Sequence, residues 1–293
     1  MAATKKGATE KKQAGISYWS KDKVACPVCK KAFEREIMRS GNGRMIAGGL
    51  TEELHRIYEP SARFGRIYPL IYEIGVCPNC YTALFWNDFT EKMDQDDADK
   101  LFEHSEKRKK CCEEIFPYFN LKHERTLYDG TAMYYLALMT YDDMGVYTLP
   151  TMKKAILSLR LAWLTDEINQ HCANHNFDII SKMFYSKALF FYQQAVINET
   201  SRTEKSSTLN NMGPDIDKNY GWDGVIYLCG LLEYKYGQQE DIQLRLKKLN
   251  ESKTAIARIF GLGKSSKNKP GPLLEHARNL YDNLSKLVND DEF

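Results

Sequence analysis

The sequence has no run approaching the roughly 18 consecutive apolar residues of a membrane-spanning helix, and its first residues lack the apolar core of a secretory signal. Neither a membrane protein nor an exported one is expected. It also lacks a glycine-rich phosphate loop, a nucleophile elbow and a dinucleotide fingerprint, so no catalytic constellation assembles from its motifs and a non-enzymatic role is expected. Charge of one sign is missing as well: the net is +2 over 293 residues, which selects no class of partner. What is present is 43% apolar and 27% charged residues, an ordinary globular balance in a chain long enough for two domains.

The charge is less even locally. Six lysines stand against two acids in residues 1–24, and residues 1–23 read as a disordered basic tail. Eight cysteines without an export signal belong to a reducing compartment, the cytoplasm, where metal binding or burial is expected over disulfides. Four of them form two CPxC motifs, Cys26-Pro27-Val28-Cys29 and Cys77-Pro78-Asn79-Cys80. A C-x2-C knuckle turns the backbone so that both sulfurs face one centre, and two knuckles supply the four soft ligands of a tetrahedral Zn2+ site. A structural zinc held by Cys26, Cys29, Cys77 and Cys80 is expected, with a redox dithiol or simple burial as the alternatives. The residue types do not separate zinc from iron.

The cysteines place a zinc-ribbon-like module at residues 24–90. Gly41-Asn42-Gly43 is a turn signal. Residues 50–58 read as a helix capped by Thr51, with Leu50, Leu54, Ile57 and Tyr58 on one face. Tyr68, Leu70, Tyr72, Ile74 and Val76 alternate as a strand that delivers the chain into the second knuckle. A few short strands bury too little surface to fold alone, so a metal staple fits this design. Ten Lys/Arg against six Asp/Glu between Lys21 and Arg66, beside Tyr58, Phe64, Tyr68 and Tyr72, could form a nucleic-acid contact. Core tyrosines and solvated charges are the reading preferred here.

Residues 91–293 read as helices. Acids at 94–99 complement the start of a helix that continues through Phe116 and turns basic at Lys107-Arg108-Lys109-Lys110. Further helices are expected at 131–142, 151–170, 177–199, 222–236, 240–260 and 273–288, with breaks at Gly213-Pro214 and a lysine- and serine-rich linker at 261–271. A small–large–small spacing recurs at Ala155, Leu159 and Ala162 and at Ala188, Tyr192 and Ala195, with a looser version at Ile242, Leu246 and Leu249. The 33 residues from Ala155 to Ala188 approach the tetratricopeptide period of about 34. The expected fold class is α+β, mostly α: a small four-cysteine ribbon followed by tetratricopeptide-like helical hairpins.

The CPVC motif with Phe33, the Tyr-Pro-Leu-Ile-Tyr-Glu-Ile stretch at 68–74, the CPNC motif and YLCGLLEYKYG at 227–237 resemble the bacterial domain-of-unknown-function family 2225, found in Gram-positive bacteria and spirochaetes. The resemblance covers roughly residues 24–250. It implies a cytosolic protein with a cysteine-pair module ahead of tetratricopeptide-like helices, and no assigned activity. Tyr81 departs from the glycine that often eases the backbone around such a knuckle.

Other chemistry-bearing residues are weaker candidates. His171 and His175 at i, i+4 could face one metal, but solvation at a helix end is expected. Cys111 and Cys112 should divide into one exposed and one core residue, while Cys172 and Cys229 read as small apolar fillers. Asp142-Asp143 and Glu113-Glu114 read as solvated faces, and Asp223 could cap a helix. The leading functional expectation is a cytoplasmic, zinc-stapled interaction scaffold or adaptor that binds a protein partner on its helical face. A nucleic-acid-associated ribbon factor is the alternative, and a CPxC thiol redox protein the third.

Overall fold

In the computed structural model, which describes residues 15–261 and 270–290, each CPxC motif is the turn of an antiparallel hairpin. The first joins β1 (Ser17–Ala25) to β2 (Ala32–Met38), and the register runs from Ser17 opposite Met38 to Ala25 opposite Ala32. A third and fourth strand, β3 (Ile46–Leu50) and β4 (Arg56–Glu59), form a separate hairpin. The second knuckle joins β5 (Ile74–Val76) to β6 (Ala83–Phe85). Strand, knuckle, strand is therefore the arrangement at both motifs. The three sheets are two-stranded, a size that is marginal in water without further packing.

Three expectations for this region are corrected. Residues 17–23, read as part of the tail, form most of β1; residues 1–14 lie outside the described residues. Residues 50–58 form the turn and second strand of a hairpin, not a helix. Leu54 adopts a left-handed φ of 61°, and Thr51, instead of capping a helix, pairs its amide with the His55 carbonyl at 2.9 Å and accepts the His55 amide on Oγ1 at 3.1 Å. The strand expected over 68–76 survives only as β5. Pro69 has no amide to give a ladder, and Pro69–Tyr72 closes into a 3-10 turn whose four side chains are all buried.

The remainder is helical: α1 (Gln95–Glu103), α2 (Ser105–Ile115), α3 (Leu127–Asp142), α4 (Pro150–His171), α5 (Phe177–Ser201), α6 (Gly221–Tyr236), α7 (Ile242–Phe260) and α8 (Gly271–Asp290). The single helix expected to continue through Phe116 is broken at His104, whose Nδ1 lies 2.8 Å from Asp143 Oδ2. From α3 onward each helix packs on the next in the chain. Both small–large–small triplets of α4 and α5 are fully buried, as close helix approach through small residues requires. The third triplet does not hold: Leu249 is buried, but Ile242 stands exposed. Asp223 lies in the first turn of α6, whose N-cap position is Tyr220. The linker expected at 261–271 falls largely outside the described residues.

Helix α3 ties the two parts together. Its start is fixed by a capping box between Thr126 and Asp129. Tyr134 donates to the Leu70 carbonyl at 2.9 Å. Thr140 Oγ1 and Tyr141 OH accept the amides of Ala83 and Phe85 at 3.2 and 3.1 Å, which satisfies the edge of β6. Gly130 lets α3 lie against the 3-10 turn, since a Cβ there would sit 2.2 Å from Cβ of Ile71. The buried apolar residues form one cluster running from Cys26 to Val288, so the cysteine module and the helices share a core. No helix among the described residues is long and apolar enough to cross a membrane.

Candidate metal centre

The two knuckles are built alike. In the first, the Lys30 amide donates to the Cys26 carbonyl at 3.0 Å and the Cys26 amide to the Lys31 carbonyl at 3.0 Å. In the second, Tyr81 donates to Cys77 and Cys77 to Thr82, both at 2.9 Å. The residue after each second cysteine must enter the left-handed region: φ is 60° at Lys30 and 55° at Tyr81. Tyr81, the departure from glycine noted above, thus adopts the conformation a glycine would have taken. Its strain is matched by Lys30 in the other knuckle, and both persist because the surrounding turn determines them.

The hairpins bring all four sulfurs together. Cys26 Sγ lies 3.6 Å from Cys80 Sγ, Cys29 Sγ lies 3.5 Å from Cys77 Sγ, and the four lie within 4.8 Å of one another. A tetrahedron with metal–sulfur bonds of about 2.3 Å has edges of about 3.8 Å, so the donor set fits one tetrahedral ion. Cys26, Cys77 and Cys80 are buried and Cys29 is half-buried. Protons are poorly placed here. Hydrogen bonds with Cys77 and Cys80, and then burial, push the Cys26 thiol far up; hydrogen bonds from Cys26, Cys77 and Thr82 hold Cys80 far down. A divalent cation that displaces the remaining protons relieves this competition. Among the described residues, these four cysteines are the one group of three or more Cys, His, Asp or Glu side chains close enough to share an ion.

The surroundings include a residue hidden in the basic run of α2. Arg108 is 1% exposed, and its Nη2 donates to the Cys80 carbonyl at 3.1 Å and the Leu101 carbonyl at 2.6 Å. Four thiolates would outweigh a divalent ion, and this guanidinium lies against the Cys80 knuckle, with Asp143 3.9 Å from its Nη1. Thr82 Oγ1 lies 3.2 Å from Cys80 Sγ. Sequence reasoning missed Arg108 because Lys107, Lys109 and Lys110 look equivalent. Its spacing of four from the buried Cys112 was the available signal.

The other candidates fall elsewhere. His171 is exposed and pairs with Tyr68 and Glu167 at 3.1 and 3.3 Å, and His175 is exposed without joining it at a third ligand. Cys112 is buried, which raises its thiol to about 12, and Cys111 is half-buried. Cys229 also rises to about 12 through burial. Cys172 is exposed at the end of α4, not an apolar filler. Asp143 is not simply solvated, since it faces Lys100 and His104 as well as Arg108. Of the tyrosines weighed as core or contact surface, Tyr72 is buried, while Tyr58 and Tyr68 are half-buried.

These features match a bacterial family. The family described as "Uncharacterized protein conserved in bacteria (DUF2225)" matches residues 19–284. The chain belongs to this family. A protein of Borreliella burgdorferi described as "Uncharacterized protein" is 38% identical to this DUF2225 member over 275 residues, 94% of this chain and 98% of the relative. No solved structure matches it. The family match begins inside β1 and ends inside α8, so it takes in both the cysteine module and the last helix.

Proposed function

We propose that this DUF2225 protein is a non-enzymatic interaction adaptor of the cytoplasm, in which zinc bound by Cys26, Cys29, Cys77 and Cys80 holds the front of the fold and tetratricopeptide-like helices receive a protein partner. The observation that carries the reading is on α5. Ile179, Met183, Phe190 and Ile197 are 54–59% exposed, and their spacing of 4, 7 and 7 aligns them along one face of the helix. Such a stripe over about 27 Å of helix is large for a surface with no use. Lys182 and Lys187 flank it and are exposed, which fits an amphipathic helix with acidic flanks. Zinc is favoured over a thiol redox role because the sulfurs approach across the knuckles, Cys26 to Cys80 and Cys29 to Cys77, as one four-centre site.

The test is co-purification at high salt, followed by replacing Phe190 with Glu. A partner retained by the parent chain and by Val146→Glu, an exposed apolar position off α5, but lost with Phe190→Glu supports the reading. Equal retention by all three sinks it. One zinc per chain should accompany the protein through chelator-free purification; iron, or a metal-free chain with an intact front, contradicts the zinc assignment.

A nucleic-acid role has one observation in its favour. Tyr18 and Trp19 are exposed on β1, and Trp19 lines a cleft of about 580 Å3 with Lys23 and Lys122, a stacking ring beside cations. RNA binding that falls steeply with salt and disappears in Trp19→Ala would favour this reading over the adaptor.

A further inference from the structure

A second cavity, of about 260 Å3, lies between the β3–β4 hairpin, residues 66–70 and helices α4 and α5. The turn residues Glu53 and His55 reach it from one side, and Trp163, Asp166, Glu167 and Tyr185 from the other. Between those two turn residues, Leu54 is fully buried and left-handed. A β-hairpin turn free to relax would not place a leucine there, so tertiary contacts hold the strain.

Those contacts are a polar network. His55 stacks on Trp163 with ring centroids 4.2 Å apart, and its Nδ1 lies 2.5 Å from the fully buried Asp215. Asp215 also accepts the Arg56 amide at 2.7 Å. Burial alone would raise Asp215, but His55 holds its carboxyl below the usual range. Trp163 Nε1 donates to Glu53 Oε2 at 2.6 Å, and the Tyr185 hydroxyl lies 3.2 Å from the same oxygen. An oriented imidazole, a buried carboxylate and a strained turn around one concave space are the marks of a binding site rather than of a plain helix–hairpin joint.

Accounting for the charges around the cavity leaves one carboxylate without a cation. Glu53 has Lys235 at 3.3 Å. Glu167 has Arg66 at 2.9 Å, and Arg56 has Asp217 at 2.9 Å. Asp166 has no cation within ion-pairing distance among the described residues; Ser181 hydrogen-bonds it, the Tyr185 hydroxyl lies 3.3 Å away with its one proton shared with Glu53, and Lys182 acts from farther off. Nδ1 of His55 is committed to Asp215, and its Nε2 has no hydrogen-bond partner among the described residues. Asp166 is an acceptor that carries charge. The complement is a donor that carries positive charge and is small enough for the space.

We propose that this cavity binds a small organic cation, an amine or guanidinium compound, with the Asp166 carboxylate as its acceptor and Trp163 and Tyr185 as its walls. The hairpin turn is then one jaw of the site and α4 the other. The ligand would bridge them, and its binding would stiffen their contact. Nothing in this proposal needs the metal centre or the α5 stripe.

Isothermal titration of the full chain with agmatine, putrescine, spermidine and guanidinium tests it, with acetate and inorganic phosphate as anion controls. At least one of the four cations should saturate a single site, and neither anion should compete. Asp166→Asn should weaken that cation about tenfold or more, because a charge-assisted hydrogen bond is lost. Unfolding would not explain the loss. Burial raises the Asp166 carboxyl, so its contribution to stability is present below the unfolded pKa and is lost as pH rises through the folded one. At pH 7 the asparagine variant should melt no lower than the parent. Tetramethylammonium, a cation with no N–H, should bind at least about tenfold more weakly than methylammonium if a hydrogen bond to the carboxylate defines the site. Silence from all four cations, competition by an anion, or unchanged affinity in Asp166→Asn would overturn the proposal.

Discussion

Around Cys26 and Cys77, strands of three to nine residues carry few buried side chains, and four sulfurs gather what the strands cannot hold. Around α4 and α5 the reverse holds: two helices of 22 and 25 residues interlock through buried alanines, leucines and aromatics and need no ion. The same core runs through both regions. The difference lies in what each would lose with one atom changed. If the four sulfurs hold a metal, one cysteine matters more to the front, where the apolar area is small, than any one contact does to the back, which distributes its stability over many.

Cys77→Ser should have the largest effect. Structural zinc contributes roughly 10–16 kcal/mol in small metal-folded units, so metal analysis should show an empty chain. Hydrogen exchange should show β1, β2, β5 and β6 unprotected while α4 and α5 keep their protection. Uniform loss across both regions would erase the contrast. Gly130→Ala strikes the joint between them. The added Cβ would meet Ile71 at 2.2 Å, and such overpacking costs roughly 1–3 kcal/mol in denaturant unfolding. A neutral result would mean α3 can lift from the 3-10 turn.

Arg108→Met should lower metal affinity roughly 10–100-fold in chelator competition, as losses around a metal's ligands do, with little change in helix melting. Thr126→Ala removes the capping box of α3 and should cost about 1 kcal/mol. Tyr192→Phe should be the smallest and opposite in sign. Tyr192 OH is buried without a partner among the described residues, so the phenylalanine should be neutral or more stable by up to about 1 kcal/mol. A clear destabilisation would reveal a partner for that hydroxyl.

The residues differed in how much they disclosed. Cys26, Cys29, Cys77 and Cys80 announced their chemistry because knuckle spacing is a local property of a few consecutive dihedrals. Ala155, Leu159 and Ala162 did so because helix periodicity repeats within the segment. Thr51 and Leu54 misled because a capping residue before spaced apolar side chains fits both a helix and a hairpin turn, and only the contact with α4 selects the left-handed leucine. Tyr68 and Tyr72 misled for a related reason: alternation signals a strand when one face is buried, but residues 69–72 are buried all round. Arg108 was invisible among four consecutive basic residues until α2 was placed against Cys80.

By itself, then, the sequence determined the sulfur knuckles, the helical remainder, the turn at Gly41-Asn42-Gly43 and the helix breaks, since each depends on chemistry within a few residues of itself. Only the tertiary structure decided which cation lies beside the cysteines and which face of α5 stays uncovered. It alone brought His55 to Asp215 and Asp166 to the same cavity, because 160 residues separate that first pair. No local pattern records a hydrogen bond over such a distance; packing of the hairpin on α4 creates it.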